Sequence, residues 1–194
     1  MNQMPEQAKA DCSINATVGF LINTTKLTML PLSAADKTLY QQLYCNAEVC
    51  KHIGGVISAE QAQVSFERSI KQNRTGKRLT WVIRDKYSHQ RLGICACVWP
   101  KEPAKQNHDN NSPTINTDNT AELGLLLLPQ FCGNGIAVDV LNALTTYGLS
   151  TLQLQQLTLH CGAENIAMQK VMGKLNATYT SNNDLTYWTL ESIK

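Results

Sequence analysis

One stretch, residues 121–147, constrains the fold of this chain more than any other. It begins with eight residues that are apolar on both faces except for Glu122, and Pro129 ends this run. Such a run is typical of a strand at the centre of a sheet. A loop with glycines at 133 and 135 follows, and apolar residues then recur at helical spacing. The sequence therefore predicts a strand, a glycine loop and a helix in immediate succession.

This order of elements favours the binding of a phosphate group. The first N–H groups of a helix lack partners within the helix, and the helix dipole adds partial positive charge there. Glycines let the backbone approach an oxyanion without a Cβ in the way. Two better-known phosphate loops do not match, because no lysine follows Gly135 and valine stands at position 138. On these residues alone, a phosphate loop and a plain tight turn both stay open.

A longer string around the loop narrows the choice. Gln130-x-x-Gly133-x-Gly135-x-Ala137, after a strand that begins Ala-Glu-Leu-Gly, resembles the acyl-CoA pyrophosphate motif of the GNAT superfamily of N-acetyltransferases. Within that superfamily it resembles the branch of the RimJ and RimL ribosomal-protein N-terminal acetyltransferases. An opening strand at 26–32, a segment at 47–55 that borders the acceptor site in the family, and a late helix led by Asn165 follow the same order. The resemblance covers the chain from about Lys26 to its end.

The resemblance implies an α/β (α+β) fold with three layers, α/β/α. The central sheet is expected to be mixed but largely antiparallel, and to splay at the cofactor strand. A chain of 194 residues suits one domain, which we expect at 24–194 after a loose tail at 1–23. A polar insertion at about 101–120 has almost no apolar residue and is expected to form a mobile loop.

Composition narrows the range of partners. Charged residues make up 16% of the chain and the formal net charge is +2, so no strong field indicates nucleic acid. No apolar run is long enough to cross a membrane, and the N-terminus lacks the apolar core of a secretory signal. The seven cysteines are odd in number and show no metal-ligand spacing. We therefore expect a cytoplasmic protein with reduced thiols, no metal and no membrane or nucleic-acid partner.

The resemblance also implies where acetyl-CoA binds. The pantetheine arm is expected to pair, as an added strand would, with free backbone groups of Leu126, Leu127 and Leu128. Asn165 matches the asparagine that contacts the pantetheine in the family. The pyrophosphate is expected on backbone N–H groups of the loop and the first helical turn, which belong to Gly133, Asn134, Gly135, Ile136 and Ala137.

Acetyl transfer to an amine requires a neutral nucleophile, and a base is useful for that. Glu122 is the one ionisable residue in the apolar strand, and apolar surroundings favour proton uptake by a carboxyl group. The related glutamate in similar chains is often proposed as the base. Near the start of the strand, Glu122 could instead pair with a surface cation, and both interpretations stay open.

The expected acceptor is a primary amine, either a protein N-terminus or a small molecule such as an aminoglycoside, a polyamine or an amino acid. A homodimer is expected by family analogy alone. Met168 replaces the serine that commonly donates a proton to the coenzyme sulfur, and a thioether cannot donate. The alternative function is therefore a catalytically weakened acyl-CoA-binding sensor or interaction protein.

Overall fold

The computed structural model describes residues 21–99, 119–175, 178–182 and 185–191. The predicted tail at 1–23 and the predicted insertion at 101–120 lie almost wholly outside these ranges. The described part contains no helix long and apolar enough to cross a membrane.

Eight strands of the described residues form one mixed sheet in the order β1-β2-β3-β4-β5-β6-β8-β7. All neighbours are antiparallel except β5 and β6, which run parallel. This is the splayed, largely antiparallel sheet that the resemblance implies. The strands are β1 (Ile22–Asn23), β2 (Leu27–Pro31), β3 (Arg78–Asp85), β4 (Arg91–Val98), β5 (Thr120–Leu127), β6 (Gln156–Gly162), β7 (Thr178–Asn182) and β8 (Leu185–Glu191).

The helices cover the two faces of the sheet, as expected for three layers. One buried cluster joins β2, β3, β4 and β5 to α4 and α5, and a second joins the other face to α1 and α3. A single π-helical turn, Tyr147–Thr151, continues α4. The helices are α1 (Lys37–Tyr44), α2 (Ala47–Cys50), α3 (Ala59–Arg74), α4 (Ile136–Thr146) and α5 (Ile166–Met172).

Ser58 with Gln61 three residues later predicts one helix start, Asn165 predicts another, and both are confirmed. At α3, the Ser58 hydroxyl accepts from the Gln61 N–H at 3.2 Å, and the Gln61 side chain accepts from the Ser58 N–H at 2.9 Å. At α5, Asn165 Oδ1 accepts from the Met168 N–H at 3.1 Å. Each cap satisfies an amide that the helix leaves without a partner.

The sheet opens between β5 and β6. Their parallel pairing covers only Thr120 to Glu122, opposite Gln156 to Thr158. Beyond that point β5 stays paired with β4 as far as Leu127, and β6 stays paired with β8 along its full length. The two strands therefore diverge into a V that widens toward the loop after β5.

A glycine on β4 allows the backbone of β5 to pack closely against β4. A Cβ at Gly93 would collide with the carbonyl oxygen of Leu126 and lie 2.9 Å from the Cα of Leu127. Only glycine permits this close approach of the two backbones. The C-terminal half of β5 thus packs tightly against β4, away from β6.

A buried carboxylate ties the start of α1 to the sheet. Asp36 is 1% exposed; its Oδ1 accepts from Arg91 Nε at 2.8 Å and from Arg84 Nη2 at 3.2 Å. Its Oδ2 accepts from the Ser33 N–H and hydroxyl at 3.0 and 2.6 Å. Burial raises the pKa of Asp36, but hydrogen bonds from Ser33 and Arg91 and the charge of Arg84 outweigh it, so the net pKa lies below the ordinary value of 3.8.

We predict that Asp36→Asn lowers the free energy of unfolding by about 3 kcal/mol at pH 7, because it leaves two arginines beside an uncharged group in a buried site. Urea unfolding measures the change, and Glu67→Gln on the exposed face of α3 is the control. Since the folded-state pKa of Asp36 is lowered, its stabilisation is present above pH 3.8 and is lost as the pH falls through the folded-state pKa. A difference between parent and variant that does not shrink in acid would contradict this assignment.

Candidate active site

A cleft of about 730 Å³ lies along the end of β5, beyond the point where β5 and β6 part. Its walls come from the end of β5 and the following loop, from α5, and from the segment around α2. This volume suits a ligand of drug or cofactor size. The lining residues are Glu48, Val49, Lys51, His52, Leu125, Leu126, Leu127, Pro129, Cys132, Gly133, Gly135, Ala137, Val138, Asn165, Ile166, Ala167, Met168, Lys170, Val171 and Lys174.

The glycine loop presents open backbone at one end of this cleft. Gly133 and Gly135 have φ of +84° and +79°, a region that side chains disfavour, and a Cβ at either position would meet nothing within 4 Å. Gly135 is the N-cap of α4, and its carbonyl accepts the first helical bond from the Asp139 N–H at 3.1 Å. The amides of residues 136–138 precede that bond and are available to an anion.

The backbone of β5 faces the V at alternate residues. The Leu128 N–H donates to the Leu92 carbonyl of β4 at 2.9 Å, and its carbonyl accepts from the Phe131 N–H at 2.9 Å. In an antiparallel ladder such bonds recur every second residue, so Leu126 also faces β4, whereas the N–H and C=O groups of Leu125 and Leu127 point toward β6. The expectation of free backbone groups is therefore wrong for Leu126 and Leu128.

Most of the other residues nominated from the sequence meet in the cleft. Those that line it are Leu126, Leu127, Gly133, Gly135, Ala137 and Asn165. Asn134 and Ile136 line a smaller pocket on the other side of the loop. Leu128 packs against the second buried cluster.

Positive charge in the cleft was not predicted. Lys170 lies on α5, Lys174 lies in the turn that follows it, and Lys51 lies on the opposite wall. All three lysines are exposed, and Glu48 is the one acidic side chain among the described residues that line the cleft. The spacing 167, 170, 171, 174 continues one helical face that starts just after Asn165, and this signal could have identified both lysines. The charge favours an anionic ligand.

The segment after α2 is tied across the cleft to the loop before α5. His52 Nδ1 lies 3.3 Å from Glu164 Oε1. The Glu164 carboxylate folds back over Gly162, where a Cβ would collide with it. Its own backbone N–H and then His52 lower the pKa of Glu164. His52 thus lines the cleft, and 22% of its side chain is exposed.

One thiol, Cys132, and one thioether, Met168, also line the cleft. Burial and then the charge of Glu48 raise the pKa of the Cys132 thiol, so it is protonated at neutral pH. The Met168 side chain is half-buried against the first buried cluster. It occupies the α5 turn that Asn165 caps, and it cannot donate a proton.

Glu122 lies where β5 and β6 part. Its side chain is 48% exposed, which does not fit the apolar setting expected from the sequence, and its Oε1 lies 3.8 Å from His160 Nδ1. It does not line the cleft itself but stands three residues before Leu125 on the same strand, about 10 Å away. On β5 it shares a face with Leu126, toward α1 and α3.

A family comparison covers most of the chain. A sequence model described as "Acetyltransferase (GNAT) domain" matches residues 26–178. A search of curated proteins by sequence finds none that matches.

Solved structures share the fold. A GNAT-family acetyltransferase from Bacillus anthracis is 16% identical, with a TM-score of 0.69 and coverage of 88% of this chain and 98% of that one. A Salmonella typhimurium acetyltransferase, described as modifying the N-terminal serine of ribosomal protein L7/L12, is 18% identical (TM-score 0.69; 89% and 99% covered). Spermidine N-acetyltransferase from Vibrio cholerae, solved with CoA and spermine, is 15% identical (TM-score 0.68; 87% and 96% covered). These identities establish similarity of fold alone.

We predict that excess acetyl-CoA raises the melting temperature of this protein and that Gly135→Glu abolishes the rise, because a carboxylate would occupy the anion site. A ligand at about one hundred times its dissociation constant adds roughly 2.7 kcal/mol, or about 5–10 °C for a domain of this size. Thermal unfolding with and without ligand measures it.

Gly76→Glu is the matched control for this experiment. Gly76 has φ of +67° and open space around its Cα, but it lies in the turn between α3 and β3. The Gly76→Glu substitution should lower the melting temperature, because it introduces a similar backbone strain. Acetyl-CoA should still raise the melting temperature of this variant. No rise in the parent at saturating acetyl-CoA would rule out the cofactor site.

Proposed function

This chain belongs to the acetyltransferase (GNAT) family, and from that premise we propose that its cleft binds acetyl-CoA and transfers the acetyl group to a primary amine. The amine attacks the thioester directly, without a covalent enzyme intermediate. One observation carries this proposal: three features meet at one cleft. They are the opening between β5 and β6, the free amides at the start of α4, and the positive charge of Lys170 and Lys174.

The cofactor lies along β5 in this proposal. Its pyrophosphate accepts hydrogen bonds from the amides of residues 133–137, and Lys170 and Lys174 add positive charge nearby. Its pantetheine arm pairs with the backbone of Leu125 and Leu127, because those residues direct their N–H and C=O groups away from β4. The thioester then reaches the narrow end of the V.

The acceptor approaches from the face that carries α1, α2 and α3. A protein N-terminus is the first candidate and a small amine such as a polyamine the second, in keeping with the named activities of the Salmonella and Vibrio proteins. A cytoplasmic location and a homodimer remain predictions from the sequence and the family resemblance.

Glu122 is the proposed base. It stands at the point where β5 and β6 part, on the acceptor face, and its half-exposed carboxylate can take a proton from the amine directly or through one water. Removal of that proton supplies the lone pair that attacks the thioester carbonyl. Backbone N–H groups of β5 are the proposed donors to the resulting oxyanion.

The leaving thiolate receives its proton from water in this proposal. Met168 occupies the position of the family serine, and it lines the cleft beside Asn165 without an O–H or N–H group. Acid assistance from α5 is therefore missing, while the base remains. The same substitution motivates the second candidate function, an acyl-CoA-binding sensor.

We predict that Glu122→Gln lowers the turnover number at pH 7 by about 10²- to 10⁴-fold, the usual contribution of a positioned base. The affinity for acetyl-CoA should stay unchanged, since Glu122 lies outside the cleft. Release of the CoA thiol, followed with a serine-initiated peptide and with spermidine, measures the rate. Glu67→Gln, which removes an exposed carboxylate from α3, is the control, and equal rates for parent and Glu122→Gln would remove Glu122 as the base.

We also predict that Met168→Ser raises the turnover number about tenfold or more, because a hydroxyl there can protonate the leaving sulfur. Met168→Ala is the matched control, since it loses the same packing but gains no donor. Equal rates for the serine and alanine variants would show that position 168 does not govern proton donation. Turnover that appears only in Met168→Ser would identify the parent as the sensor.

A further inference from the structure

Glu122 and His160 form a pair at the narrow end of the V. Glu122 is the last β5 residue paired with β6, opposite Thr158, and His160 follows Thr158 by two residues. Residues two apart on a strand share a face, so His160 is the diagonal neighbour of Glu122 across the parallel pair. His160 Nδ1 lies 3.8 Å from Glu122 Oε1.

The position of this pair in the sheet is consistent with a role in the proposed acetyl transfer. Both side chains lie at the last point where β5 and β6 are held together, and β6 is anchored on its other side by seven register positions with β8. The imidazole therefore stands on a fixed strand. The carboxylate, at the end of a flexible side chain that is 48% exposed, has more freedom.

A base that is free to rotate is a poor catalyst, because misplacement by about 1 Å can cost roughly a hundredfold in rate. A contact of 3.8 Å is too long for a hydrogen bond, whose length is about 2.8–3.0 Å. Catalytic hydrogen bonds are often long in unliganded structures and tighten when the substrates bind. One rotamer adjustment of Glu122 would close this gap.

We propose that His160 is the positioning residue for Glu122: its Nδ1–H donates to Oε1 and holds the carboxylate toward the amine at the narrow end of the V. This inference rests on the proposed function, because it assigns a role in the same reaction. His160 does not touch the substrate and does not exchange a proton with it.

Kinetics of four variants test the inference. His160→Leu should lower the turnover number about tenfold to a hundredfold and leave KM for acetyl-CoA unchanged. His160→Asn should recover most of that loss, since its amide N–H can replace Nδ1–H as donor. The double variant Glu122→Gln/His160→Leu should be as slow as Glu122→Gln alone, because His160 acts only through Glu122. If the losses in turnover number of the two single variants instead add in the double variant, His160 acts independently of Glu122. That result would overturn the inference and indicate a structural role for the histidine.

His89→Asn is the matched control. His89 lies in the turn between β3 and β4, at the end of β4 remote from Glu122, and has φ of +59°, which asparagine tolerates. It should retain the activity of the parent. The assay follows CoA thiol release with a serine-initiated peptide and, separately, with spermidine.

A second measurement does not depend on turnover. In ¹⁵N-labelled protein with CoA bound, the His160 ring should carry its proton on Nδ1, and Glu122→Gln should reduce the share of that tautomer. His160→Leu identifies the resonances. A ring that carries its proton on Nε2 in both parent and variant would overturn the inference, whatever the kinetics.

The two proposals fail in different ways. If the protein turns over neither acceptor, the proposed function is overturned, even when the His160 tautomer changes in Glu122→Gln. Normal turnover in His160→Leu would overturn the inference and leave the proposed function intact.

Discussion

The early end of the pairing between β5 and β6 is the constraint on which the site depends. Each strand is held along its outer edge, β5 by β4 and β6 by β8, so neither can close the gap. Among the described strands, the inward-facing amides and carbonyls of Leu125 and Leu127 therefore have no partner beyond Glu122. A polar group that is partly removed from water without a partner costs about 1–3 kcal/mol. A ligand that offers amide groups in an extended arm offsets that cost, which makes the opening a binding site rather than a defect.

The length of β5 sets the distance between the two ends of the site. Glu122 and Leu127 are five residues apart, about 17 Å along an extended strand. One end carries the pair of Glu122 and His160, and the other carries the glycine loop and the start of α4. In the proposed binding mode the anionic end of the ligand binds at the loop, remote from the reacting atoms, and so positions the other end of the ligand without contact to the proposed base. The close approach at Gly93 holds this part of β5 against β4.

The sequence predicts the elements well and the backbone directions poorly. The order strand, loop and helix follows from local residues, and so do the caps at Ser58 and Asn165, because their partners lie three residues away. Which backbone groups of β5 face the cleft depends on its register with β4, and a shift by one residue exchanges the two sets. That is why the sequence prediction includes Leu126 and Leu128 and misses Leu125.

The contact between Glu122 and His160 also depends on strand register, and here the two residues lie farther apart in the sequence. They are 38 positions apart in the sequence, and their contact depends on the parallel register of β5 with β6, which no local pattern encodes. At position 153, by contrast, the family resemblance does indicate the backbone conformation. The family usually has glycine in this turn, and Gln153 adopts φ of +56°, the left-handed region that glycine occupies without strain.

Glu122 as the proposed base and the lack of a donor at Met168 together favour one class of acceptor in the proposed reaction. A thiol has an ordinary pKa of about 8.5, so a thiolate leaves at neutral pH with little help, and the loss of a donor at Met168 is tolerable. The amine is the more demanding partner, because only its neutral form attacks. An α-amino group, with an ordinary pKa of about 7.7–8.0, is partly neutral at pH 7, whereas an alkyl amine near 10.4 costs about 3.5 kcal/mol more to deprotonate. One half-exposed carboxylate as the proposed base is better matched to the α-amino group, and for this reason we propose a protein N-terminus before a polyamine as the acceptor.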